Sequence, residues 1–250
     1  MVIFKSIKTK LIIYLSGFAV FLAVRDKDAA FLAATAIAVI SALAAEGLVL
    51  YLKEKAFRAS ESAVITGLIT GFVISSDQAW WIFCLAAVIA IFSKHLIRFR
   101  GKHIFNPAAC GIFLTLILFG VSTQWKGTYI WYILAPFGFY FAYKLKKTEV
   151  LAGYAAASLL LFGAQALLQN VPLWNIFGYF SYFYIFVMVI EPKTTPLKPI
   201  GKYIFGAGVA ALVFILTQAG VRFDAELCSL LVMNATVHLL NKMPVRNTRS

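Results

Sequence analysis

The stretch Ala29–Leu52, AAFLAATAIAVISALAAEGLVLYL, decides the fold, because it is apolar over its whole length and holds one charged residue, Glu46. Crossing the hydrocarbon core of a bilayer as a helix takes about 20 such residues. A surface helix of a soluble domain would carry a polar face, and this stretch has none. The sequence therefore predicts a membrane-spanning helix here.

The composition extends this prediction to the whole chain. Of the 250 residues, 62% are hydrophobic and 13% are charged, whereas about 25% of the residues in a soluble domain are charged. The apolar segments follow one another with short connections, so we predict an all-α polytopic membrane protein that forms a single transmembrane domain over residues 1–250. About ten segments are expected, near residues 11–24, 29–52, 62–75, 79–97, 106–121, 128–143, 149–168, 173–190, 203–218 and 223–241.

Several of these segments are too short to cross a bilayer as straight helices, among them 62–75, 106–121 and 203–218. Short segments beside Gly, Pro or polar residues are typical of broken or half helices, which line ligand sites in transporter-like folds. Ten segments also divide into five plus five, which suggests an inverted repeat from the count alone. Met1–Val24 resembles a signal peptide but lacks a small-x-small cleavage site, so we expect it to stay as the first span.

The net charge of +13 follows the predicted topology. Of the 23 Lys and Arg residues, 19 lie in connections or ends that alternate with connections holding the other four. The positive-inside rule places the basic side, with both termini, in the cytoplasm. The charge is thus explained by membrane orientation and attraction to anionic lipid, and nucleic acid is not expected as a partner. The basic clusters are Lys5/Lys8/Lys10, Lys53/Lys55/Arg58, Lys94/Arg98/Arg100/Lys102, Lys144/Lys146/Lys147, Lys193/Lys198/Lys202 and Lys242/Arg246/Arg249.

The first candidate site is Lys102–Ala109, KHIFNPAA. Asn106 is predicted to cap a helix in which Pro107 takes the first position. Such a helix points free N–H groups and partial positive charge at whatever precedes it, and Lys102 and His103 add donors. The alternative is a capped helix with basic residues that only reach toward water.

The second candidate is Glu191–Pro199, EPKTTPLKP, whose prolines prevent a helix directly after an apolar run. Glu191 needs a partner or water at that edge, and Thr194 and Thr195 offer hydroxyls. Pro199 is expected to open the next segment. A ligand-binding loop and an ordinary cytoplasmic turn are both open from these residues.

Two further polar stretches have a structural interpretation beside the functional one. Glu61–Leu68 places Ser, Thr and Gly on a short apolar segment, as is common where membrane helices pack. Met233–His238 places Asn and His inside the last span, where they usually bond to neighbouring helices. Glu46 is either a proton or cation site or a carboxylate that reaches water. The three cysteines, Cys84, Cys110 and Cys228, are isolated and predict no metal site.

Together these four stretches resemble one family, NqrB/RnfD, which comprises the NqrB membrane protein of the sodium-translocating NADH:quinone oxidoreductase and the RnfD membrane protein of the Rnf electron-transport complex. Lys102–Ala109 is similar to that family's hallmark loop nearly letter for letter. Glu61–Leu68 resembles its Ser-Ala-x-x-Thr-Gly-Leu segment, Glu191–Pro196 its acid-Pro-x-(Ser/Thr)-(Ser/Thr)-Pro loop, and Met233-Asn234 its Met-Asn. The stretches fall in family order over residues 61–234.

The resemblance implies a fold similar to urea and ammonium channels, and a subunit of a larger complex in the inner membrane. It further implies flavin binding and electron movement through the membrane, coupled to sodium or proton translocation. Positive helix ends with Lys and His would stabilise an electron-rich reduced flavin. No catalytic residue or metal ligand is expected. The implied cofactor-binding residues are Thr66, Gly67, Lys102, His103, Asn106, Pro107, Glu191, Thr194, Thr195 and Pro196.

The sequence departs from the family at one point. Long members carry a Ser-Gly-Ala-Thr signature whose Thr holds FMN covalently, and this string is absent here. The connection Val121–Thr128 is short, and Thr123 and Thr128 lack the surrounding motif. We therefore expect a short member without covalent FMN. Its flavin, FMN or riboflavin, would be bound non-covalently or supplied by a flavin-carrying partner protein.

Three functions compete at this point. The first is an electron-transfer subunit that assembles with other electron-transfer subunits. The second is a small-solute channel or carrier that kept the fold without the redox activity, which the missing attachment signature favours. The third is a scaffold that anchors partners and binds no ligand. Retention of KHIFNPAA and EPKTTP favours the first.

Overall fold

The computed structural model describes residues 6–55, 60–191 and 193–243. Some residues named above lie outside these ranges, namely Lys5, Arg58, Pro192, Arg246 and Arg249. Over the described ranges the chain is helical apart from one two-stranded hairpin, which confirms the all-α fold. Four of the described helices are long and apolar enough to cross a membrane, and shorter apolar helices accompany them. The protein is a multi-pass membrane protein.

The chain divides into two compact units, Met1–Tyr129 and Ile130–Ser250. The single transmembrane domain and the inverted repeat stay predictions. In the first unit the described elements are α1 (Ile7–Asp26), α2 (Ala29–Glu54), α3 (Glu61–Val73), α4 (Trp80–Leu96), β1 (Arg98–Phe99), β2 (Lys102–His103) and α5 (Pro107–Phe119). In the second they are α6 (Trp131–Lys144), α7 (Thr148–Leu168), a 3₁₀ helix (Leu173–Tyr179), a π-helical turn (Tyr184–Met188), α8 (Pro199–Gln218) and α9 (Ala225–Leu240).

Two of the three segments that were predicted to be short are short helices in the structure. α3 and α5 each have 13 residues, too few to span a bilayer. The prediction that the segment at 203–218 is also short is wrong. Pro199 occupies the first helical position of α8, which reaches 20 residues, because proline's fixed φ and missing N–H suit a helix start.

The predicted single segment 173–190 is also wrong, since the structure divides it. The 3₁₀ helix ends at Tyr179, Phe180 is extended with φ −90° and ψ 122°, and a separate turn follows. There the N–H of Val189 donates to the carbonyl of Tyr184 at 3.0 Å, a π-helical bond. Gly178 and the dense aromatic residues lower helix propensity, and hydropathy does not record that weakness.

Glycines set the closest helix contacts in each unit. A Cβ on Gly67 of α3 would lie 2.4 Å from the Cα of Val39 in α2. In the second unit, a Cβ on Gly153 of α7 would lie 2.2 Å from the carbonyl oxygen of Tyr203 in α8. Small residues at these points let the backbones approach, as is usual between membrane helices.

The carboxyl-terminal end of α3 is closed by residues 121–129, here called the closing segment. The carbonyls of Phe72 and Val73 accept the N–H groups of Lys126 and Gln124 at 2.7 and 2.8 Å. The last carbonyls of a helix have no partner within it, and an unsatisfied group costs several kcal/mol in a membrane. The closing segment therefore explains how α3 can end short of a full span.

Ion pairs fix the closing segment to the turn between α1 and α2. Lys126 Nζ lies 2.7 Å from Asp28 Oδ2 and 3.4 Å from Asp26 Oδ2, and the hydroxyl of Tyr129 donates to Asp26. Partial burial acts to raise the pKa of Asp28, but hydrogen bonds from Lys126 and from the N–H of Phe31 hold it below its ordinary value. This end of the first unit is a compact, charge-balanced contact.

Candidate functional site

The start of α5 is built as the sequence predicts. Asn106 Oδ1 accepts the N–H of Ala109 at 3.0 Å, and its carbonyl accepts the N–H of Cys110 at 3.0 Å. Pro107 stands at the first helical position. Asn106 is buried, so its side chain serves the helix end. The predicted cap is confirmed.

The residues before α5 form a β-hairpin that the sequence did not predict. Arg98 pairs with His103 and Phe99 with Lys102 across β1 and β2. Side chains alternate along a strand, and accordingly His103 is buried while Lys102 is exposed. These two predicted site residues therefore lie on opposite sides of the hairpin, and His103 is the one turned into the first unit.

Glu46 lies in a buried ion cluster of the first unit. Its carboxylate lies 2.7 Å from Lys94 Nζ and 3.1 Å from His95 Nε2, both on α4. Only 5% of the Glu46 side chain is exposed, so the interpretation that this carboxylate reaches water is wrong. The cluster joins α2 to α4.

Thr66 and Gly67 make packing contacts. The hydroxyl of Thr66 donates to the carbonyl of Ser62 at 2.9 Å, within α3, and Gly67 lies against α2 as described above. At the start of the same helix, Glu61 accepts hydrogen bonds from Ser6 at 3.3 Å and from Thr9. The cofactor-binding role of Thr66 and Gly67 stays a prediction, whereas their role in helix packing is visible.

The second candidate loop folds around its own acid. The Thr194 hydroxyl donates to Glu191 Oε2 at 3.2 Å, and the Thr195 hydroxyl donates to the Glu191 carbonyl at 2.9 Å. Both threonines are almost completely buried, and Pro196 is buried beside them. The loop is thus an ordered polar turn in which Glu191 has hydroxyl partners.

Two residues from other elements hold this loop. Asn234 of α9 donates from Nδ2 to the carbonyl of Thr194 at 2.9 Å. Lys147, between α6 and α7, donates from Nζ to the carbonyl of Pro196 at 2.9 Å. The Met233-Asn234 stretch and the Glu191–Pro196 stretch, 40 residues apart in sequence, therefore meet directly.

Lys147 gives this end of the second unit an excess of positive charge. Lys147 is 3% exposed, and burial lowers its pKa to about 8, with a further lowering from Lys202 opposed by Glu149. Lys202 Nζ lies 3.3 Å from Glu149. The sequence did not single out Lys147, because it is one of three basic residues that follow closely on one another at the end of α6 and in the α6–α7 connection. Its place directly before the α7 start was the only local signal.

The structure thus places eight of the ten predicted site residues in two groups, and the other two, Thr66 and Gly67, lie on α3. Lys102, His103, Asn106 and Pro107 lie at the hairpin and α5 start in the first unit. Glu191, Thr194, Thr195 and Pro196 lie in one loop of the second unit, with Asn234 and Lys147 added to them. Cofactor binding by either group stays a prediction.

Comparison with known proteins identifies the family to which the chain belongs. The sequence profile described as NQR2, RnfD, RnfE family matches residues 4–137 and 140–249. The chain belongs to this family. Two of the stretches that resemble this family, Met233-Asn234 and Glu191–Pro196, are in direct contact in the structure through the hydrogen bond from Asn234 to Thr194.

Relatives within the NQR2, RnfD, RnfE family carry a common description, the D subunit of an ion-translocating oxidoreductase complex. The relative of that description from Escherichia fergusonii is 41% identical over 98 residues, 37% of this chain and 28% of the relative. Those from Cronobacter sakazakii and Yersinia enterocolitica are 34% and 32% identical, over 55% and 56% of this chain and 40% and 41% of theirs. The chain therefore spans less than half the length of these relatives.

Proposed function

We propose that this chain is a membrane subunit of an electron-transport complex, in which it helps electrons pass through the membrane with a non-covalently bound flavin. Ion translocation coupled to that flow is part of the proposal, since the relatives named above are subunits of ion-translocating oxidoreductase complexes. Its partners would be other electron-transfer subunits or a flavin-carrying protein. The inner membrane, with both termini in the cytoplasm, is the proposed location, supported by the distribution of basic residues.

The observation that carries the proposal is the contact of Asn234 with the Thr194 carbonyl. It connects two family-like stretches in a loop that Lys147 also holds. A loop fixed by buried hydrogen bonds from α9 and from the α6–α7 connection is preorganised, as a ligand-positioning element must be.

The chemistry of the described groups fits a flavin at the helix starts better than at α3. Reduced flavin is electron-rich, and cationic side chains and helix amino-terminal ends stabilise it. The α5 start offers a helix amino-terminal end in the first unit, with the buried His103 shortly before it in sequence, and Lys147 and Lys202 offer cationic side chains in the second. When bound, a flavin would supply one- and two-electron transfer. This chain's part would be to orient the ring and to exclude water from it.

The visible spectrum of the purified protein, in detergent and with its partner subunits where they copurify, tests the proposal. Flavin absorption that bleaches with dithionite is expected. Because the flavin is non-covalent, the denatured polypeptide should show no in-gel fluorescence, and a fluorescent band would contradict that part. A colourless protein that conducts a small solute in liposomes would favour the channel hypothesis and overturn electron transfer.

A pair of threonine variants tests the loop. Thr195→Val removes the buried hydroxyl that donates to Glu191, and flavin content should fall severalfold. Thr217→Val, at an exposed position near the end of α8, is the matched control and should leave it unchanged. Equal flavin content in both variants would remove the loop from the site.

A further inference from the structure

The tip of the hairpin between α4 and α5 presents apolar and cationic side chains together. Phe99 of β1 is 46% exposed, and Leu96, the last residue of α4 before the hairpin, is 75% exposed. Arg98, Arg100 and Lys102 are exposed beside them, and the guanidinium of Arg100 lies 5.5 Å from the centre of the Phe99 ring. Large apolar groups interleaved with cations are typical of surfaces that enter the headgroup layer of a membrane.

The backbone of the tip holds Arg100 in an unfavourable conformation. Arg100 has φ 49° and Gly101 has φ 81°, so the two residues between β1 and β2 match a type I′ turn, which needs positive φ at both positions. Asn is the usual residue at the first of them, and a long side chain there is strained. A strained residue at an exposed tip is a reason to look for a function of its side chain.

The charge at the tip has no acidic neighbour in sequence. Residues 97–106 include three cations and no Asp or Glu. The turn between α1 and α2 is the useful contrast, because Lys27 there also has a positive φ, 53°, but stands between Asp26 and Asp28. Both turns thus hold a cation at positive φ, although Lys27 ends a helix and Arg100 stands between two strands. The hairpin also differs in having no acidic neighbour in sequence and in its exposed Phe99.

We propose that the hairpin tip docks in the headgroup layer of anionic phospholipid. Arg100 and Lys102 bind lipid phosphates, and Phe99 enters the boundary between headgroups and acyl chains, while the Arg98 guanidinium donates to the carbonyl of Gly101. Electrostatic attraction and buried apolar area act together in this arrangement. The proposal concerns Phe99 and Lys102, which pair on one face of the hairpin, and Arg100 at its tip. The depth of the tip in the membrane can be measured whether or not the protein transfers electrons.

A spin label at the tip can measure this docking. Cys84, Cys110 and Cys228 are replaced by Ala, Phe99→Cys carries a nitroxide whose apolar ring takes the place of the phenyl group, and the protein is reconstituted in vesicles. Accessibility to oxygen and to a water-soluble nickel chelate gives the depth of the label. With phosphatidylglycerol added to phosphatidylcholine, we expect the label to move inward, to about 5–10 Å below the headgroup surface.

Charge and turn geometry are separated by the choice of variant. Arg100→Asn with Lys102→Gln removes two charges while Asn-Gly keeps the type I′ turn, so the label should move back toward water. Lys27→Asn removes one charge from the turn between α1 and α2 and should leave the depth of the label unchanged. The proposal is overturned if the depth of the label is the same with and without phosphatidylglycerol, or if it does not change in the Arg100→Asn, Lys102→Gln variant. A label that neither relaxant reaches indicates a protein partner and overturns it as well.

Discussion

Each unit contains two helices that run side by side in the same direction and share a carboxylate–lysine pair. In the first unit, Glu46 of α2 lies 2.7 Å from Lys94 of α4, near the carboxyl-terminal ends of both helices. In the second, Glu149 of α7 lies 3.3 Å from Lys202 of α8, at the amino-terminal ends. A helix carries partial negative charge in its last turn and partial positive charge in its first turn. Lys94 and His95 lie in the last turn of α4, whereas Glu149 and Lys202 lie in the first turns of α7 and α8.

The difference shows why the two pairs have different roles. The first places a lysine and His95 against one acid where the helix ends are negative, and the site is nearly closed to water. In the second, Glu149 alone faces Lys202, Lys147 and two positive helix ends, and 25% of the Glu149 side chain is exposed. The first pair joins two helices through a buried contact, whereas the second leaves two buried lysines, Lys147 and Lys202, facing a single acid.

Removing the acid of each pair is expected to give the largest difference in stability between the two units. Glu46→Gln leaves the Lys94 ammonium buried without its counter-charge, which is expected to cost about 3–5 kcal/mol of unfolding free energy. Glu149→Gln should cost less, because the Glu149 side chain is already 25% exposed and its carboxylate lies farther from its lysine, at 3.3 Å, although the Lys202 ammonium is itself buried. Unfolding by SDS titration in mixed micelles measures both. The double change Glu46→Leu with Lys94→Leu should recover most of the first loss, and equal losses for the two single variants would contradict the contrast in burial.

The charge excess in the second unit predicts a pH dependence. Lys147 has a folded pKa of about 8 against an ordinary value of 10.5, so between these values the unfolded chain binds a proton that the folded chain has released. Stability due to this group therefore rises with pH across that window, by at most about 3 kcal/mol. Lys147→Met should lack the rise, and the difference between the two unfolding curves isolates it from other titrating groups. Parallel curves for the wild type and the variant would contradict the burial of charge at Lys147.

The helix caps give the smallest and finest test of the two units. Asn106 caps α5, and Asp224 caps α9 by accepting the N–H of Leu227 at 2.9 Å. Each change to Ala should cost about 1 kcal/mol, with the larger loss at Asn106 because it is buried and Asp224 is only half-buried. Asn106→Asp keeps a capping oxygen and is the control in the same unfolding assay. If Asp224→Ala lost more unfolding free energy than Asn106→Ala, burial of the capping residue would not determine how much each cap contributes.

Features set by neighbouring residues could be predicted from the sequence. The α5 start follows from Asn-Pro at 106–107, and two of the three short segments follow from their length. The break after Tyr179 could not be predicted, because an apolar run has the same hydropathy whether or not its backbone stays helical. Pro199 was correctly expected to open α8, but the segment was predicted too short because Lys198 and Lys202 obscured the beginning of the apolar run.

Some of the residues of the candidate site could also be predicted from the sequence. KHIFNPAA and EPKTTP could be found by pattern, but the alternation that buries His103 and exposes Lys102 depends on positive φ at Arg100, a residue that rarely adopts it. The partners of Glu46 lie about fifty positions away along the chain, on α4. Long-range contacts of this kind are set by helix packing, and no local periodicity encodes them.

The closing segment determines where this polypeptide can be divided. The carbonyls of Phe72 and Val73 are bonded to residues that follow α5, so the first unit ends well beyond its last helix. A fragment that stops at Phe119 would place those carbonyls in lipid without partners, whereas a fragment that stops at Tyr129 retains both bonds. The chain's natural point of division for split expression or circular permutation is therefore after Tyr129, in agreement with the limit of the compact unit.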